Sequence, residues 1–454
     1  MQNLFDEVSS LDARCYSEFG LSEDILMEHA ANGMANYIRA NFSKNSKIII
    51  VCGSGNNGAD GIACARLLHV EYDVSIFYAK KPKSDMAILQ DKRARNIEVP
   101  ECKKLQDCDV LVDALVGTGF SGVLNDKLNK VMSKMNSVKA FKIACDIPSA
   151  YEFKADITLT MGALKKSMFL DEVKGFVGDI KVLDLGVSRT IYENESSWKV
   201  LDLNDLNLPS RKQEDTNKGT FGHLAVALGD KSGASILSAL AGLRFGAGLV
   251  TLVGYRERHV PNSIMAAASV PNNATALALG MGLVNEFNEI EIGNFLDNDL
   301  PLIADADIFH NKIILDILKR KNVIITPHAK EFVALLKLTK LASITVKELQ
   351  KNRFKYAQMF CEKYLHVTLI LKGANVIIGQ KDKFYINPHG NSTLAKGGSG
   401  DVLSGLVGAL LAQGYTCLDS AINASLAHTK LALNYKGADF SLTPDDLIDG
   451  IKQL

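Results

Sequence analysis

The sequence predicts an α/β protein of two domains, each a largely parallel sheet with helices on both faces. Three observations carry that prediction. Short continuous apolar runs such as Lys47-Ile-Ile-Ile-Val-Cys52 alternate with segments of helical period such as Ile62-Ala-Cys-Ala-Arg-Leu-Leu-His69, and a strand buried on both faces needs such a run. Many of the runs end in glycine, asparagine or aspartate, the composition of a loop between strand and helix. The pattern stops in a polar stretch between 186 and 217 and then restarts, in a chain of 454 residues that is too long for one ordinary core.

The first half opens with a mixed helical segment and reaches the strand 47 to 52, which runs into Gly53-Ser-Gly-Asn-Asn-Gly-Ala-Asp-Gly61, read as a loop ahead of a helix at 62 to 69. Asn56, Asn57 and Asp60 add amide and carboxylate groups that a plain turn does not require. A strand at 74 to 78 and a helix at 86 to 97 follow. Asp109-Val-Leu-Val-Asp113 then enters a second glycine-rich loop, Ala114-Leu-Val-Gly-Thr-Gly-Phe-Ser-Gly122, and Phe141-Lys-Ile-Ala-Cys145 ends in Asp146-Ile-Pro-Ser-Ala150. Any one of these loops also reads as a structural turn; three together predict one site at the carboxyl edge of a parallel sheet. Further strands are expected at 155 to 160 and 179 to 185, with Lys165 and Lys166 between them.

The domain boundary is placed near 212, in the polar run Arg211-Lys-Gln-Glu-Asp-Thr-Asn217. Beyond Lys218-Gly-Thr-Phe-Gly222 the pattern resumes with strand 223 to 228, helix 234 to 245 and strand 248 to 253. Strand ends rich in glycine, carboxylate or histidine follow at 277 to 282, 301 to 307 and 322 to 328. Val367-Thr-Leu-Ile-Leu-Lys-Gly373 leads into a hairpin of 376 to 378 and 383 to 386 at the sheet edge.

All of this leads to Leu394-Ala-Lys-Gly-Gly-Ser-Gly-Asp401, followed at once by the apolar run 402 to 411. The glycines permit positive φ and close approach, and the free N–H groups of a helix starting here point back into the loop, making an anion hole. Asp401 falls in the first helical turn, so a carboxylate stands where a phosphate docks, the arrangement for phosphoryl transfer to a hydroxyl. Taken alone, Gly-Ser-Gly-Asp also reads as a turn with an aspartate cap.

Composition narrows the partners. Lys+Arg and Asp+Glu both number 51, so no net charge draws the chain to nucleic acid or anionic membrane. Residues 1 to 20 carry Asp6, Glu7, Asp12 and Glu18 where a secretory segment would be apolar, and no apolar run reaches membrane-spanning length. The eight cysteines show no Cys-x-x-Cys spacing and read as reduced cytoplasmic thiols.

These motifs carry a family resemblance. Residues 218 to 454 resemble the ribokinase-like αβα fold and, within it, the NAD(P)H-hydrate dehydratase family, through KGTFGH at 218 to 223, GLRFGAGLVTL at 242 to 252, TPH at 326 to 328, LKGANV at 371 to 376 and GN…LAKGGSGDVLSG at 390 to 405. Residues 1 to 212 resemble the NAD(P)H-hydrate epimerase family, a Rossmann-like three-layer αβα domain, through GSGNNGADG, DALVGTGFSG and DIPS. The fusion is similar to the bifunctional repair enzymes that combine both activities.

The resemblance implies repair of nicotinamide cofactors hydrated at C6, with R and S hydrates interconverted by the first domain. That domain would bind the hydrate through Asn56, Asn57, Gly58, Ala59 and Asp60, through Gly117, Thr118, Gly119, Phe120, Ser121, Gly122 and Val123, and through Asp146, and hold potassium on Asn57, Asp113 and Ser149. The second domain, 213 to 454, would dehydrate the S hydrate with ADP, giving AMP and phosphate, or with ATP, magnesium accompanying the nucleotide. Its nucleotide-binding residues would be Lys372, Gly373, Ala374, Asn375, Val376, Asn391, Gly397, Gly398, Ser399 and Gly400; its hydrate pocket Ala234, Gly282, His328 and Asp401; and its catalytic base Asp401. A cytoplasmic homo-oligomer acting on NAD(P)H hydrates, without nucleic acid or membrane, is expected. Ala59 and Ala150 stand where the family has glycine, so a positive φ at either would carry strain, and Ala329-Lys330 stands for Pro-Gly. The alternative is a small-molecule kinase of a vitamin precursor or sugar fused to a non-catalytic binding module, because fold alone does not choose the phosphoryl acceptor.

Overall fold

A computed structural model describes residues 1–120, 122–212, 214–254, 260–283 and 289–454. The chain divides into two compact units, Asn3–Ser196 and Ser197–Leu454, the second including Met1–Gln2. Composition placed the boundary near 212, beyond a short strand. Trp198–Val200 pairs in parallel register with residues 384 to 386, and the Trp198 ring stacks on Phe384 with centroids 4.3 Å apart. Three residues inside polar sequence are therefore committed to the second unit.

In the first unit six parallel strands lie in the spatial order Asp73–Tyr78, Lys47–Cys52, Val110–Ala114, Phe141–Cys145, Ile157–Met161 and Asp179–Leu183. Side chains alternate between faces. Ile48, Ile50, Val110 and Val112 enter one core cluster while Ile49, Val51, Leu111 and Ala144 enter another, so both faces are covered and the layers number three. The winding reverses between Lys47–Cys52 and Val110–Ala114, which places the loops after Cys52 and Ala114 at the switch point where such sheets bind ligands.

One expectation changes here. The stretch read as a loop from 53 to 61 is helical from its fourth residue, in Asn56–Leu68. A Cβ on Gly58 would meet the Gly53 carbonyl oxygen at 2.3 Å, and one on Gly61 would meet the Ala114 methyl at 2.5 Å. These glycines serve close helix-to-strand packing, not a turn.

In the second unit the parallel order is Met265–Ala267, Leu249–Val253, His223–Ala227, Ala276–Leu279, Leu302–Ala304, Val323–Ile325 and Val367–Leu371. The expected hairpin, Val376–Gln380 with Lys383–Asn387, adds two antiparallel strands. Helix Ser399–Ala412 is buried at every residue except Gly400 and Asp401. It approaches helix Ser232–Arg244 closely: a Cβ on Gly405 would lie 2.3 Å from the Ser238 carbonyl oxygen. No helix among the described residues is long and apolar enough to cross a membrane.

Candidate active sites

At the carboxyl edge of the first sheet a cavity of about 620 Å³ opens between the loops after Cys52, Ala114 and Cys145. Of the residues expected there, Asn56, Asn57, Asp60, Gly117, Thr118, Gly119, Phe120 and Asp146 line it. Gly58 and Ala59 do not: both are buried, Ala59 against Met27 and Ala87. Ala59 is helical, so its methyl carries no backbone strain, whereas Ala150 does sit at φ +53°. Gly122 and Val123 also lie outside the lining, Val123 being 85% exposed, and Ser121 falls outside the described residues.

The lining also includes groups that sequence reasoning missed, Asp12, Lys80, Met161 and Leu185 among them. Three carboxylates, Asp12, Asp60 and Asp146, thus share one cavity. Asp12 accepts a hydrogen bond from the Tyr192 hydroxyl at 2.7 Å, and burial raises it above the usual carboxylate range. Burial, then the nearby Asp146 and Asp12, push Asp60 well above that range. Asp146 alone has a cation in contact: its Oδ1 accepts from Lys165 Nζ at 2.6 Å.

Behind the cavity two of the three expected cation ligands, Asp113 and Ser149, are hydrogen-bonded to each other. Asp113 is fully buried; its Oδ1 accepts from the Ser149 hydroxyl at 2.7 Å and its Oδ2 from the Ser149 amide at 2.8 Å. The same hydroxyl lies 3.0 Å from the Val116 carbonyl oxygen. A Cβ on Gly117 would stand 3.4 Å from Asn57 Oδ1, which is buried without a hydrogen-bond partner. Asn57 Nδ2 is likewise buried without a partner, so this amide holds an unsatisfied acceptor and an unsatisfied donor, and one Ser149 hydroxyl proton lies within reach of two acceptors. Burial pushes Asp113 to about 6, with no cation in contact to hold it down. Carboxylate, hydroxyl and amide oxygens are the donors a hard monovalent cation accepts.

In the second unit the site is built around the start of helix Ser399–Ala412, capped by Gly398 at φ +90°. A Cβ on Gly398 would strike Pro444 at 2.5 Å, so glycine is required twice over. A Cβ on Gly400 would stand 3.5 Å from Lys372 Nζ, placing that ammonium at the helix N-terminus, where the Ser399 amide already donates to the Lys396 carbonyl at 3.2 Å. Lys372 Nζ lies 2.8 Å from Asp305 Oδ1, and Asp305 Oδ2 accepts from Ser404 Oγ at 2.8 Å. Asp401 remains without that cation. Burial, then the Asp305 carboxylate, push it to about 6, with Lys372 opposing.

The remaining expected residues converge on the same sheet edge. A Cβ on Gly282, at φ +68°, would meet the Ala234 methyl at 3.2 Å, so those two segments touch. The Lys372 amide donates to the Pro327 carbonyl at 2.9 Å, joining the nucleotide segment to the turn that carries His328. Gly390 packs on the Ala374 carbonyl, bringing 390 to 391 against 372 to 376. Asn391 uses its side chain to cap Ser392–Leu394 and is exposed. His328 caps helix Ala329–Leu338: its Nδ1 accepts from the Lys330 and Glu331 amides, and its Nε2 lies 3.2 Å from Glu331 Oε1. Ala329-Lys330 therefore opens a regular helix. Burial and Lys372 hold His328 below the ordinary histidine range. Asp305, Ser404, Glu331 and His428, whose Nε2 lies 3.1 Å from Ser399 Oγ, were missed as site residues; the strand end at 301 to 307 was their one legible signal.

A family model described as NAD(P)H-hydrate dehydratase matches residues 224–453, and one described as YjeF-related protein N-terminus matches residues 23–167. The chain is 42% identical to the bifunctional NAD(P)H-hydrate repair enzyme Nnr of Helicobacter pylori, with 100% of each covered. It is 30% identical to the Coxiella burnetii enzyme of that name, over 96% of each. Among solved structures it is similar to the ADP/ATP-dependent NAD(P)H-hydrate dehydratase from Bacillus subtilis co-crystallized with ATP/Mg2+, at 26% identity and a TM-score of 0.46 over 55% of this chain and 94% of that one. With both motif sets present, both models matched and full-length identity to the relatives, this chain belongs to the bifunctional NAD(P)H-hydrate repair enzyme family.

Proposed function

We infer that this chain repairs hydrated nicotinamide cofactors, epimerising R and S NAD(P)H hydrates in the first domain and dehydrating the S form in the second. The observation that carries the second activity is a carboxylate, Asp401, in the first turn of a helix whose N-terminal amides and Lys372 form an anion cradle. Asp401 accepts the proton of the C6 hydroxyl as that oxygen attacks the terminal phosphoryl group of ADP or ATP. The amides of 398 to 400 stabilise the charge that develops on phosphorus oxygens, and Lys372 adds a point charge beside them. The phosphate then leaves C6 as a proton leaves C5, restoring the dihydropyridine and giving AMP and phosphate when ADP is used. This is why a kinase-like site serves a lyase.

Lys372, Gly373, Ala374, Asn375, Val376, Asn391 and Gly397 to Gly400 hold the nucleotide in this reading; Ala234, Gly282, His328 and Asp401 hold the hydrate. Magnesium would accompany the nucleotide and supply positive charge to its phosphates, and the Asp305 carboxylate is an oxygen donor of the type it accepts. In the first domain Asn57, Asp113 and Ser149 would hold potassium, a reading supported by the unpartnered Asn57 Oδ1 and by Asp113 being buried without a cation in contact. A bound cation supplies positive charge and fixes the two loops that border the hydrate. The protein is read as a cytoplasmic homo-oligomer whose partners are small molecules.

Incubation of mixed NADH hydrates with and without ADP or ATP tests the whole. Full recovery of NADH absorbance with either nucleotide is expected. A stable phosphorylated product with no NADH would instead mean a kinase. Recovery that stops at the S fraction would remove the epimerase.

A further inference from the structure

The paired cations Lys165 and Lys166 stand out in the sequence, and nothing in the epimerase reading uses them. Lys166 reaches the mostly exposed carboxylate of Asp6, with Nζ at 2.9 Å. Lys165 is different. Its side chain is 2% exposed, and its Nζ lies 2.6 Å from Asp146 Oδ1, 2.8 Å from Thr160 Oγ1 and 3.2 Å from the Met161 carbonyl oxygen. Burying an ammonium is costly unless it is paired and fully hydrogen-bonded, and this one is both. Parallel pairing of Leu164–Lys165 with Leu4 and Phe5 fixes the backbone that delivers it.

The consequence falls on Asp146. Its Oδ1 lies within hydrogen-bond distance of the Lys165 ammonium, the Met161 amide at 3.0 Å and the Thr160 hydroxyl at 3.3 Å, while Asp146 itself lines the cavity. Every hydrogen bond described for this carboxylate goes to Oδ1, which leaves Oδ2 for a ligand. The backbone at φ +68° is an unfavourable one for aspartate, and these bonds hold it. The other titratable groups whose charges act with Asp146 are Asp12, Asp60, Tyr151, Tyr192 and Cys145. None of them is a cation.

We propose that Lys165 is a positioning residue of the epimerase site: it ties down one oxygen of Asp146 so that the other meets the C6 hydroxyl of the hydrate as an ionised acceptor. This rests on the reading of the first domain as a hydrate epimerase. It sorts the three carboxylates of the cavity, placing the Lys165 ammonium in hydrogen-bond contact with Asp146 and with neither Asp12 nor Asp60.

The test is Lys165→Met in the full chain, which keeps length and burial but removes the charge. R-to-S conversion is followed without nucleotide across pH, with dehydration of pure S hydrate as the control. A carboxylate that loses a contacting cation holds its proton to higher pH, so the acid limb of R-to-S conversion should move up by about one unit or more relative to wild type. Conversion within about twofold of wild type at every pH, or an equal loss at every pH, overturns the proposal. Should the Met variant fail to fold, Lys165→Arg keeps the cation: its acid limb should stay at the wild-type position whatever its rate, and a displaced limb overturns the proposal. If the wild-type chain itself does not interconvert the hydrates, the domain reading falls and the proposal falls with it.

Discussion

Asp401→Asn keeps the shape of the side chain and the helix that carries it, and removes only the charge. Asp401 ionises at about 6 against an ordinary 3.8 because the fold buries it beside Asp305. A folded-state value above the unfolded one means that the native chain takes up the proton first as pH falls. Above pH ~6 the carboxylate is ionised in both states and the fold bears the cost, which at about 1.4 kcal/mol per pH unit comes to about 3 kcal/mol at most. The site is partly open to solvent, so about 1 to 2 kcal/mol is the realistic figure. The variant should therefore be more stable than wild type by that amount at pH 8, with the difference gone near pH 4, as read by thermal unfolding. It should also lose the base: nucleotide-dependent NADH recovery should drop by ~100-fold or more. Wild-type recovery should decline as pH is lowered through about 6, because the base is then protonated. Epimerisation should continue, since the first unit has its own core, leaving an equilibrated R and S mixture with ADP unconsumed. NADH recovery near the wild-type rate would refute the assignment of Asp401 as base, and lower stability at pH 8 would refute the electrostatic reasoning.

Two further outcomes follow from the first unit. Asp113→Ala removes the one charged member of the oxygen cradle, so R-to-S conversion should fall and lose its dependence on potassium while dehydration of pure S hydrate persists; undiminished conversion would rule out the cradle. Ala150→Gly should stabilise the first domain by up to about 1 kcal/mol, because a left-handed alanine costs ~1–2 kcal/mol and glycine returns part of that as unfolded-chain entropy. A lower melting temperature for this variant would mean that the alanine methyl contributes packing that outweighs its strain.

The strands were legible because a strand covered on both faces must be continuously apolar, as Lys47–Cys52 and Val367–Leu371 are. The site loops were legible because glycine, asparagine and aspartate cluster directly after apolar strand runs, as at 53 to 61 and 114 to 122. Asn56–Leu68 was misread at its start because glycine signals a turn by its freedom, whereas Gly58 and Gly61 are there for their lack of a Cβ. Trp198–Val200 was hidden by its brevity: three residues give no period, and only the partner strand at 384 to 386 reveals them. Least legible of all were the ion pairs. Lys165 meets Asp146 across 19 positions and Lys372 meets Asp305 across 67, and no local pattern encodes which carboxylate a lysine will choose.

That choice decides what each site can do. In both units one aspartate at a strand end is in contact with a lysine, at 2.6 Å in the first and 2.8 Å in the second, and a second carboxylate nearby is left without a cation in contact. Were Lys372 to pair with Asp401, the carboxylate would be a weak base, fully ionised at neutral pH and reluctant to take a proton. Pairing it with Asp305 leaves Asp401 at about 6, still mostly ionised at pH 7 but a stronger acceptor than an ordinary aspartate. The same lysine stands beside Gly400 at the N-terminus of helix Ser399–Ala412. One ion pair thus keeps an ammonium at the helix N-terminus and, by being made with the neighbour, leaves Asp401 the stronger proton acceptor.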